Sequence, residues 1–187
     1  MRIISGTARG TKLRTLKGTN TRPTLDRIKE ALFNIINDNM QDACVLDLFA
    51  GSGSLGLEAL SRGASFSVFC DNSIESIKVI QDNIEKTKFI EKSLIIKNDY
   101  TNAIKTLITQ EITFDIIFID PPYESNYRIK ALELILEKNL LKSNGIIIVE
   151  TDDEQEIDNI KNLELGLNIY DIRKYGRVRL VFLSRKG

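Results

Sequence analysis

The fold is decided by residues 46–56, which read LDLFAGSGSLG. This stretch ends an apolar run over residues 43–49, and its second half, Gly51 to Gly56, fits the pattern G-x-G-x-x-G ahead of a helical pattern. A strand, a glycine loop and a helix in that order are typical of a nucleotide-binding βα unit. Asp71 comes twenty residues after Gly51, where the next strand is predicted to end. We therefore expect an adenine-containing cofactor at the carboxyl ends of the first two strands, with Asp71 on its ribose hydroxyls.

Outward from this stretch, short apolar runs alternate with segments of helical periodicity. That alternation predicts an α/β fold, a doubly wound sheet with helices on both faces. Continuous apolar runs such as FDIIFI at residues 114–119 suit parallel strands that are buried on both sides. The last two strands are joined only by Tyr175 and Gly176, so they must pair antiparallel as a C-terminal hairpin. The predicted strands are residues 43–49, 66–70, 93–97, 114–119, 145–150, 167–174 and 177–184.

Polar residues and glycines mark where the helices begin and end. Ser73 is predicted to cap the helix after the second strand, and Gly63 to end the helix that follows the glycine loop. Either Asp99 or Thr101 is predicted to cap the next helix. The apolar face of the helix after Ser73 is predicted to consist of Ile74, Ile77, Ile80 and Ile84.

A basic segment precedes the α/β core. Residues 1–22 are predicted to form an arm, in which residues 2–5 and 12–16 are strand-like and indicate a small β-hairpin. A helix then opens at RPT, residues 22–24, with Thr24 as the predicted N-cap. We expect residues 23–187 to form a single α/β domain.

The composition excludes several classes of site. The chain of 187 residues has no histidine, which removes histidine-based triads and HExxH zinc sites, and we expect no bound metal. Cys44 and Cys70 match no disulfide or metal spacing and are expected to be buried as small apolar residues. No apolar run approaches the roughly 18 residues that cross a bilayer, so we expect a cytoplasmic protein with no membrane partner.

Charge is unevenly distributed along a chain whose formal net charge is zero. Residues 1–25 carry six basic residues and no acid, and residues 173–187 again carry six and no acid. The stretch between them holds 14 basic residues against all 26 acidic ones. The two basic ends are either solvated surface or sites for a polyanion, and charge alone does not decide between these interpretations.

Asp47 bears on which adenine-containing cofactor is bound. It lies four residues before Gly51, where a carboxylate would repel a pyrophosphate but attract the ammonium and sulfonium of S-adenosylmethionine. The same carboxylate could instead only fix the loop backbone. Asp99 could accept a hydrogen bond from the adenine amine or serve only as a helix cap. The predicted cofactor-binding residues are Asp47, Phe49, Ala50, Gly51, Ser52, Gly53, Asp71, Asn72, Asp99 and Tyr100.

The tetrad Asp120-Pro121-Pro122-Tyr123 follows the fourth predicted strand, at the same sheet edge as the glycine loop. The two prolines predict a stiff turn whose carbonyls point outward. The Asp120 carboxylate and the Pro121 carbonyl could hold both N–H groups of an exocyclic amine, so that its lone pair points at a methyl donor. Tyr123 could stack on the target base. An isolated Asp-Pro-Pro would be a simple turn, but with the glycine loop it predicts four catalytic residues.

At these residues the sequence resembles the DPPY amino-methyltransferases, and more narrowly the RsmD family of bacterial 16S rRNA (guanine(966)-N(2))-methyltransferases. The resemblance covers nearly the whole chain, and its most discriminating part is the helix start at residues 22–24. The matching segments are RII at residues 2–4, RPT at 22–24, DR at 26–27, EALFN at 30–34, LDLFAGSG at 46–53, LEALSRGA at 57–64, DPPY at 120–123 and YG at 175–176.

The resemblance implies a seven-stranded, Rossmann-like methyltransferase sheet, S-adenosylmethionine as donor, and N2 of a guanine in the 16S rRNA of the small ribosomal subunit as acceptor. This family usually has Glu in place of Asp71, and its arm differs from this one at Ser5, Thr11 and Leu16. These departures affect the expected RNA contacts and not the chemistry. We expect a monomer whose predicted RNA-binding residues are Arg9, Lys12, Arg14, Arg22 and Arg27.

Other functions stay open on the sequence. Another amino-methyltransferase would act on DNA adenine or protein glutamine, but the glutamine enzymes typically carry Asn in place of Asp120, and the DNA enzymes usually add a recognition domain. A nicotinamide oxidoreductase would leave residues 120–123 unexplained. A non-catalytic RNA-binding module would be expected to have lost Asp120 or the loop glycines.

Overall fold

One seven-stranded sheet organises the protein. The computed structural model describes residues 1–16, 23–122, 126–163 and 165–186, with the backbone only at residues 23–25. In these ranges the helices are α1 (Pro23–Ile35), α2 (Ser54–Ser61), α3 (Ile74–Thr87), α4 (Tyr100–Thr109), α5 (Tyr127–Glu137) and α6 (Glu154–Asn162). The strands are β1 (Cys44–Asp47), β2 (Phe66–Asp71), β3 (Ser93–Lys97), β4 (Phe114–Ile119), β5 (Leu141–Thr151), β6 (Leu167–Tyr175) and β7 (Val178–Arg185).

The strands lie in the order β3-β2-β1-β4-β5-β7-β6. Strands β1 to β5 pair in parallel, whereas β7 runs antiparallel to both β5 and β6. The predicted seven-stranded sheet with a C-terminal antiparallel hairpin is therefore confirmed. Chain order reverses between β1 and β4, and at such a point the loops diverge and leave a crevice at the carboxyl edge.

The sheet has a hydrophobic core on each face. Ile116 and Phe118 of β4 pack into one cluster with α1, α2 and α3, while Ile117 and Ile119 pack into the other with α4, α5 and α6. This alternation is the two-residue period of a strand that is buried on both sides. Because helices cover both faces of the sheet, polar groups that meet a ligand are expected at the ends of the strands.

Several predicted details differ from the structure, and three of them have a clear physical reason. Strand β5 begins at Leu141 and not at residue 145, because Leu141 pairs with Phe114 across a polar stretch that the apolar pattern does not reveal. Ile74 is 57% exposed, since the first turn of α3 lies beyond the end of β2. Helix α1 begins at Pro23, so Thr24 lies inside its first turn rather than at the N-cap; proline suits the first helical position because its missing N–H would have no partner there.

The basic arm forms less of a hairpin than predicted. A single antiparallel bridge joins Arg2 to Lys12, and the backbone N–H of Ile3 donates to the Thr11 carbonyl at 3.0 Å. The pairing stops there because the N–H groups of Ile4 and Ser5 donate instead to the Glu58 carboxylate of α2, at 2.8 and 3.0 Å. Backbone groups that a longer hairpin would pair with each other therefore bind the rest of the domain instead.

Glu58 is the centre of a buried ionic cluster that holds the arm. Its side chain is fully buried and pairs with Lys29 Nζ at 3.1 Å and Arg62 Nε at 2.9 Å. Lys29 also donates to the Arg2 carbonyl at 2.6 Å, and burial lowers its pKa although Glu58 opposes that shift. A buried carboxylate is tolerable when its lone pairs are filled in this way. The arm is therefore anchored to the helix that begins at the glycine loop.

Gly6 offers a test of this anchoring. A Cβ at Gly6 would lie 1.7 Å from the Ser61 carbonyl oxygen, whereas one at Gly10 would meet nothing within 4 Å, and both residues have positive φ, 82° and 84°. The matched variants Gly6→Ala and Gly10→Ala share the backbone strain of about 1–2 kcal/mol, so only the first should also displace the arm. We expect Gly6→Ala to lose at least about 2 kcal/mol more free energy of unfolding in urea, as several hydrogen bonds break. Equal losses would contradict the docking.

No helix in the described ranges is both long and apolar enough to span a membrane. Within the same ranges, no cluster of three or more His, Cys, Asp or Glu side chains could hold a metal ion. Cys70 is buried and Cys44 is half-buried, and both are free thiols.

Candidate active site

A cavity of about 730 Å³ opens at the carboxyl edge of the parallel strands. Its lining includes residues at or just after the carboxyl ends of β1, β2, β3, β4 and β5, the edge that the strand order predicts for ligands. Its volume is in the range of small-molecule and cofactor sites. The predicted site residues that line it are Asp47, Phe49, Ala50, Gly51, Ser52, Asp71, Asn72, Asp99, Tyr100, Asp120, Pro121 and Pro122.

The glycine loop takes a conformation that requires glycine at two positions. Gly51 and Gly53 have φ of 55° and 75°, and the Gly53 N–H donates to the Ala50 carbonyl at 2.7 Å. Gly53 is not among the residues that line the cavity, so it shapes the loop rather than facing a ligand. The Asp71 carboxylate braces the loop, accepting from the N–H groups of Gly51 and Ser73 at 2.9 Å each. Each oxygen retains a lone pair that could receive a ribose hydroxyl.

Asp47 holds the loop backbone and also lines the cavity. It is 2% exposed, accepts from the Gly56 N–H at 3.1 Å, and still lines the cavity. Burial raises the pKa of Asp47 to about 7, the Gly56 N–H lowers it, and the nearby charges of Asp120 and Asp71 raise it further. A cationic ligand in this cavity would favour the ionised carboxylate.

Asp99 is the N-cap of α4. Of the two residues predicted for that position, Asp99 and Thr101, the first is therefore confirmed. It accepts from the backbone N–H groups of Thr101 at 3.0 Å and Asn102 at 3.1 Å. Hydrogen bonds lower the pKa of Asp99 to about 2. The largest contribution comes from the Thr101 hydroxyl, and the next from the Asn102 N–H. The carboxylate is therefore fixed and ionised where it lines the cavity.

Aromatic rings form one wall of the cavity. Phe49 and Tyr100 have ring centroids 5.5 Å apart, Tyr100 and Tyr127 5.2 Å, and Phe49 and Tyr127 stack in parallel at 6.2 Å. Such a wall offers flat apolar faces to a purine. Tyr127 was not predicted as a site residue; Tyr123, which was, lies outside the described residues. In the sequence, only the nearness of Tyr127 to the tetrad could have indicated that it lines the site.

The turn after β4 is held from inside the protein. The buried guanidinium of Arg128 donates through Nη2 to the Pro121 carbonyl at 3.2 Å and through Nε to the Glu150 carbonyl at 2.7 Å. The Pro121 carbonyl thus does not point freely outward as predicted, because Arg128 reaches it from α5. Burial raises the pKa of Asp120 to about 6 although the Arg128 charge lowers it.

Glu150 is a site residue that the sequence reasoning missed. It follows Val149 in β5, and Val149 is the register partner of Ile119, the residue before Asp120. Glu150 and Asp120 therefore stand at equivalent positions on neighbouring strands, and both line the cavity. Burial raises the pKa of Glu150 to about 8, and the Asp120 charge contributes to this shift. The Arg128 charge opposes it. An acid directly after the apolar run IIIV was the available signal.

In the described part of the chain, the predicted RNA-binding residues do not line the cavity. The side chains of Arg9, Lys12, Arg14 and Arg27 are exposed, and Arg14 forms an ion pair with Asp82. Arg22 lies outside the described residues. The arm nevertheless reaches the cavity, which Met1, Thr15 and Leu16 help to line. A ligand bound along the arm would therefore lead to the mouth of the cavity.

Comparisons with known proteins agree with this geometry. The family described as conserved hypothetical protein 95 matches residues 1–184. The ribosomal RNA small subunit methyltransferase D of Haemophilus influenzae is 37% identical over 88% of this chain and 86% of its own length. The enzyme of the same name from Escherichia coli K12 is 33% identical over 86% of this chain and 79% of its own length. A solved structure of the E. coli protein yhhF, described as an inferred methyltransferase, covers 100% of this chain and 98% of its own at TM-score 0.83 and 28% identity.

Proposed function

This chain belongs to the family described as conserved hypothetical protein 95, and we propose that it transfers the methyl group of S-adenosylmethionine to N2 of a guanine in 16S rRNA of the small ribosomal subunit. Relatives above 30% identity that cover most of the chain are small subunit rRNA methyltransferases by name. The guanine N2 as the acceptor, action as a monomer in the cytoplasm, and the division at residue 22 into an arm and a methyltransferase domain are parts of this proposal.

One observation carries the proposal. The turn Asp120-Pro121-Pro122 and four residues of the glycine loop, Gly51, Ser52, Ser54 and Leu55, line the same cavity although they are far apart in sequence. A methyltransferase needs this arrangement, since the acceptor nitrogen must lie in line with the methyl group and its leaving sulfur. A nicotinamide enzyme would have no use for the turn.

The residues of the cavity fit S-adenosylmethionine. Asp47 and Asp71 present carboxylates to it, and Asp99 lies at the end of β3 where an adenine amine would need an acceptor. Phe49 and Tyr100 give the flat apolar surface that an adenine requires. When bound, S-adenosylmethionine supplies an electrophilic methyl group on a sulfonium. Lys29, which also lines the cavity, is already paired with Glu58 at 3.1 Å, so these three carboxylates favour a cationic ligand over a dinucleotide.

The chain itself contributes positioning and electrostatics. The Asp120 carboxylate accepts an N–H of the acceptor amine, which localises the nitrogen lone pair and stabilises the positive charge that develops on it. The same carboxylate is placed to receive the proton that the amine must lose. The aromatic rings of Phe49, Tyr100 and Tyr127 give the cavity an apolar lining, which strengthens electrostatic contacts made beside it.

A labelled-methyl assay tests the proposal. Radiolabelled S-adenosylmethionine is offered with purified small subunits, naked 16S rRNA, duplex DNA and protein, and the labelled product is digested to nucleosides or amino acids. We expect label in N2-methylguanine from the small subunits or the rRNA. Label in N6-methyladenine or methylglutamine would contradict the proposal and identify the correct acceptor.

The exposed cations of the arm are expected to bind the RNA backbone. Reversing the charge of Arg9, Lys12 and Arg14 together should weaken RNA binding and reduce the slope of log K against log salt by about 2, since each phosphate contact contributes about 0.7–0.9. Filter binding across a salt series measures this slope, and cofactor affinity should not change.

The matched control for the arm variant reverses the charge of three exposed lysines on the opposite face of the sheet. Lys130, Lys138 and Lys161 lie on or at the end of α5 and on α6, which pack on the face away from the arm. If this control lowers the slope as much as the arm variant does, the effect is one of net charge and the arm is not a specific RNA contact.

A further inference from the structure

Two acidic side chains face the reacting end of the cavity, and the proposed chemistry needs only one of them. The register pair Ile119 and Val149 places Asp120 and Glu150 on adjacent parallel strands, whose backbones lie about 4.8 Å apart. Both side chains line the cavity. Among the described residues, neither carboxyl accepts a hydrogen bond from the protein. A pair of acceptors is therefore available to a ligand.

Arg128 fixes this pair without neutralising it by a direct hydrogen bond. Its guanidinium donates to the main-chain carbonyls of Pro121 and Glu150 and pairs with the Glu156 carboxylate at 3.4 Å. The two main-chain bonds tie the turn after β4 to the end of β5. The carboxyl groups of Asp120 and Glu150 are consequently held side by side and left free toward the cavity.

The nucleobase edge that suits two adjacent carboxylates is that of guanine. Its Watson–Crick side carries the N1–H beside the N2 amino group, so adjacent atoms both donate. Adenine offers one amino group beside the N1 lone pair, which a carboxylate repels. Resting on the proposed function, we propose that the Glu150 carboxyl accepts the N1–H of the target guanine while Asp120 accepts an N2–H, and that Glu150 thereby selects guanine.

The electrostatics of the pair agree with this role. Burial and the Asp120 charge favour the protonated form of Glu150 in the free enzyme, with a pKa of about 8. An N–H donor at the N1 position favours the ionised form and offsets the repulsion between the two carboxylates. A base with a lone pair at N1 cannot do so; it can only accept from the protonated carboxyl, so the preference for guanine requires a pH above the pKa of Glu150. Selection then arises from an unfavourable contact with the wrong base as well as a favourable one with guanine.

The test compares two bases that both carry the N2 amino group. Small subunits are reconstituted with 16S rRNA that has guanine or 2,6-diaminopurine at the position labelled in the methyl assay; the second base has a lone pair at N1 instead of N1–H. At a pH of about 9, above the pKa of about 8 for Glu150, we expect the wild-type protein to prefer guanine by about 10–100-fold in kcat/KM for N2 methylation, from a discrimination of about 1–3 kcal/mol. Digestion of the product confirms that N2 is the methylated atom.

The variant Glu150→Gln should remove the preference. Its amide can turn to accept from the N1–H of guanine or to donate to the N1 of diaminopurine, so the ratio should fall to about threefold or less. Asp152→Asn is the matched control, because Asp152 is exposed, lies two residues further along the chain and does not line the cavity. The Asp152 charge helps to raise the pKa of Glu150, so above that pKa this control should keep the wild-type ratio.

The possible outcomes separate this inference from the proposed function. If the wild-type protein methylates neither RNA, the proposed function fails. If it methylates both equally well, or if Glu150→Gln keeps the full preference, only the role of Glu150 is overturned. Should the variant be inactive on both RNAs, their relative affinities in the presence of S-adenosylhomocysteine supply the same ratio, and a wild-type ratio there again overturns the role.

Discussion

Replacing Asp120 with alanine is expected to lower kcat/KM for methyl transfer by about 10²–10³-fold, the effect of removing one preorganised electrostatic partner of a transition state. The carboxylate meets the positive charge that develops on the acceptor nitrogen, and alanine leaves that charge without a partner at a site shielded from water. S-adenosylmethionine affinity should change little, because the loop is braced by Asp71 and Asp47. Single-turnover kinetics and calorimetry measure the two quantities.

Asp152→Ala is the control for the loss of one negative charge near the site. Asp152 is exposed, and its main-chain carbonyl, which accepts from Arg179 at 2.9 Å, is unaffected by the substitution. We expect near wild-type activity. Full activity of the Asp120→Ala variant would remove Asp120 from the reaction, whereas an equal loss of activity and cofactor affinity would indicate that it supports the loop instead.

The pH dependence of activity gives a second test of the role of Asp120. Because burial raises the pKa of Asp120 to about 6, the ionised fraction falls as pH decreases through that value, and activity should fall with it. Glu150, with its pKa raised to about 8, titrates above this window. Asp120→Asn retains one acceptor oxygen and does not titrate, so its profile should lack the decline near pH 6. The same decline in both proteins would assign it to another group.

The frame of the site could be predicted because it depends on local patterns. Strands β3 and β4 begin and end at the predicted residues, since each is an apolar run bounded by polar residues. Asp71 and Asp120 could be predicted because a residue at the end of a parallel strand, or directly after it, must lie at the carboxyl edge. The same rule, applied to the run IIIV, would have found Glu150.

What the sequence could not give depends on long-range packing. Arg128 sits one residue into α5 and looks like a surface charge, yet its side chain is 2% exposed because the helix lies over the ends of β4 and β5. Glu58 looks like the polar face of α2, but the arm covers it and takes up its lone pairs. No local pattern states that a distant segment will bury a charge, so both residues required the structure.

Removing the Arg128 side chain is expected to cost about 3–5 kcal/mol of the free energy of unfolding, the usual effect of breaking a buried ion pair on one side. In Arg128→Met the carbonyls of Pro121 and Glu150 lose their donors, and Glu156, whose side chain is 12% exposed, loses its cation. Methionine fills a similar volume, so the loss reports polar contacts rather than a cavity. Urea denaturation measures the change in stability.

Two further variants separate the parts of that loss. In Arg128→Lys the charge remains, but one ammonium lacks the planar fork that serves three acceptors, so the loss should be intermediate. Adding Glu156→Gln to Arg128→Met removes the uncompensated carboxylate and should restore about 1–2 kcal/mol, which a double-mutant cycle reads as coupling between the two residues. The Thr151 hydroxyl, which donates to Glu156 at 2.6 Å in the wild type, can still donate to the glutamine. Strictly additive losses, or a loss below about 1 kcal/mol for Arg128→Met, would mean that water replaces the guanidinium and that the turn is held by its prolines alone.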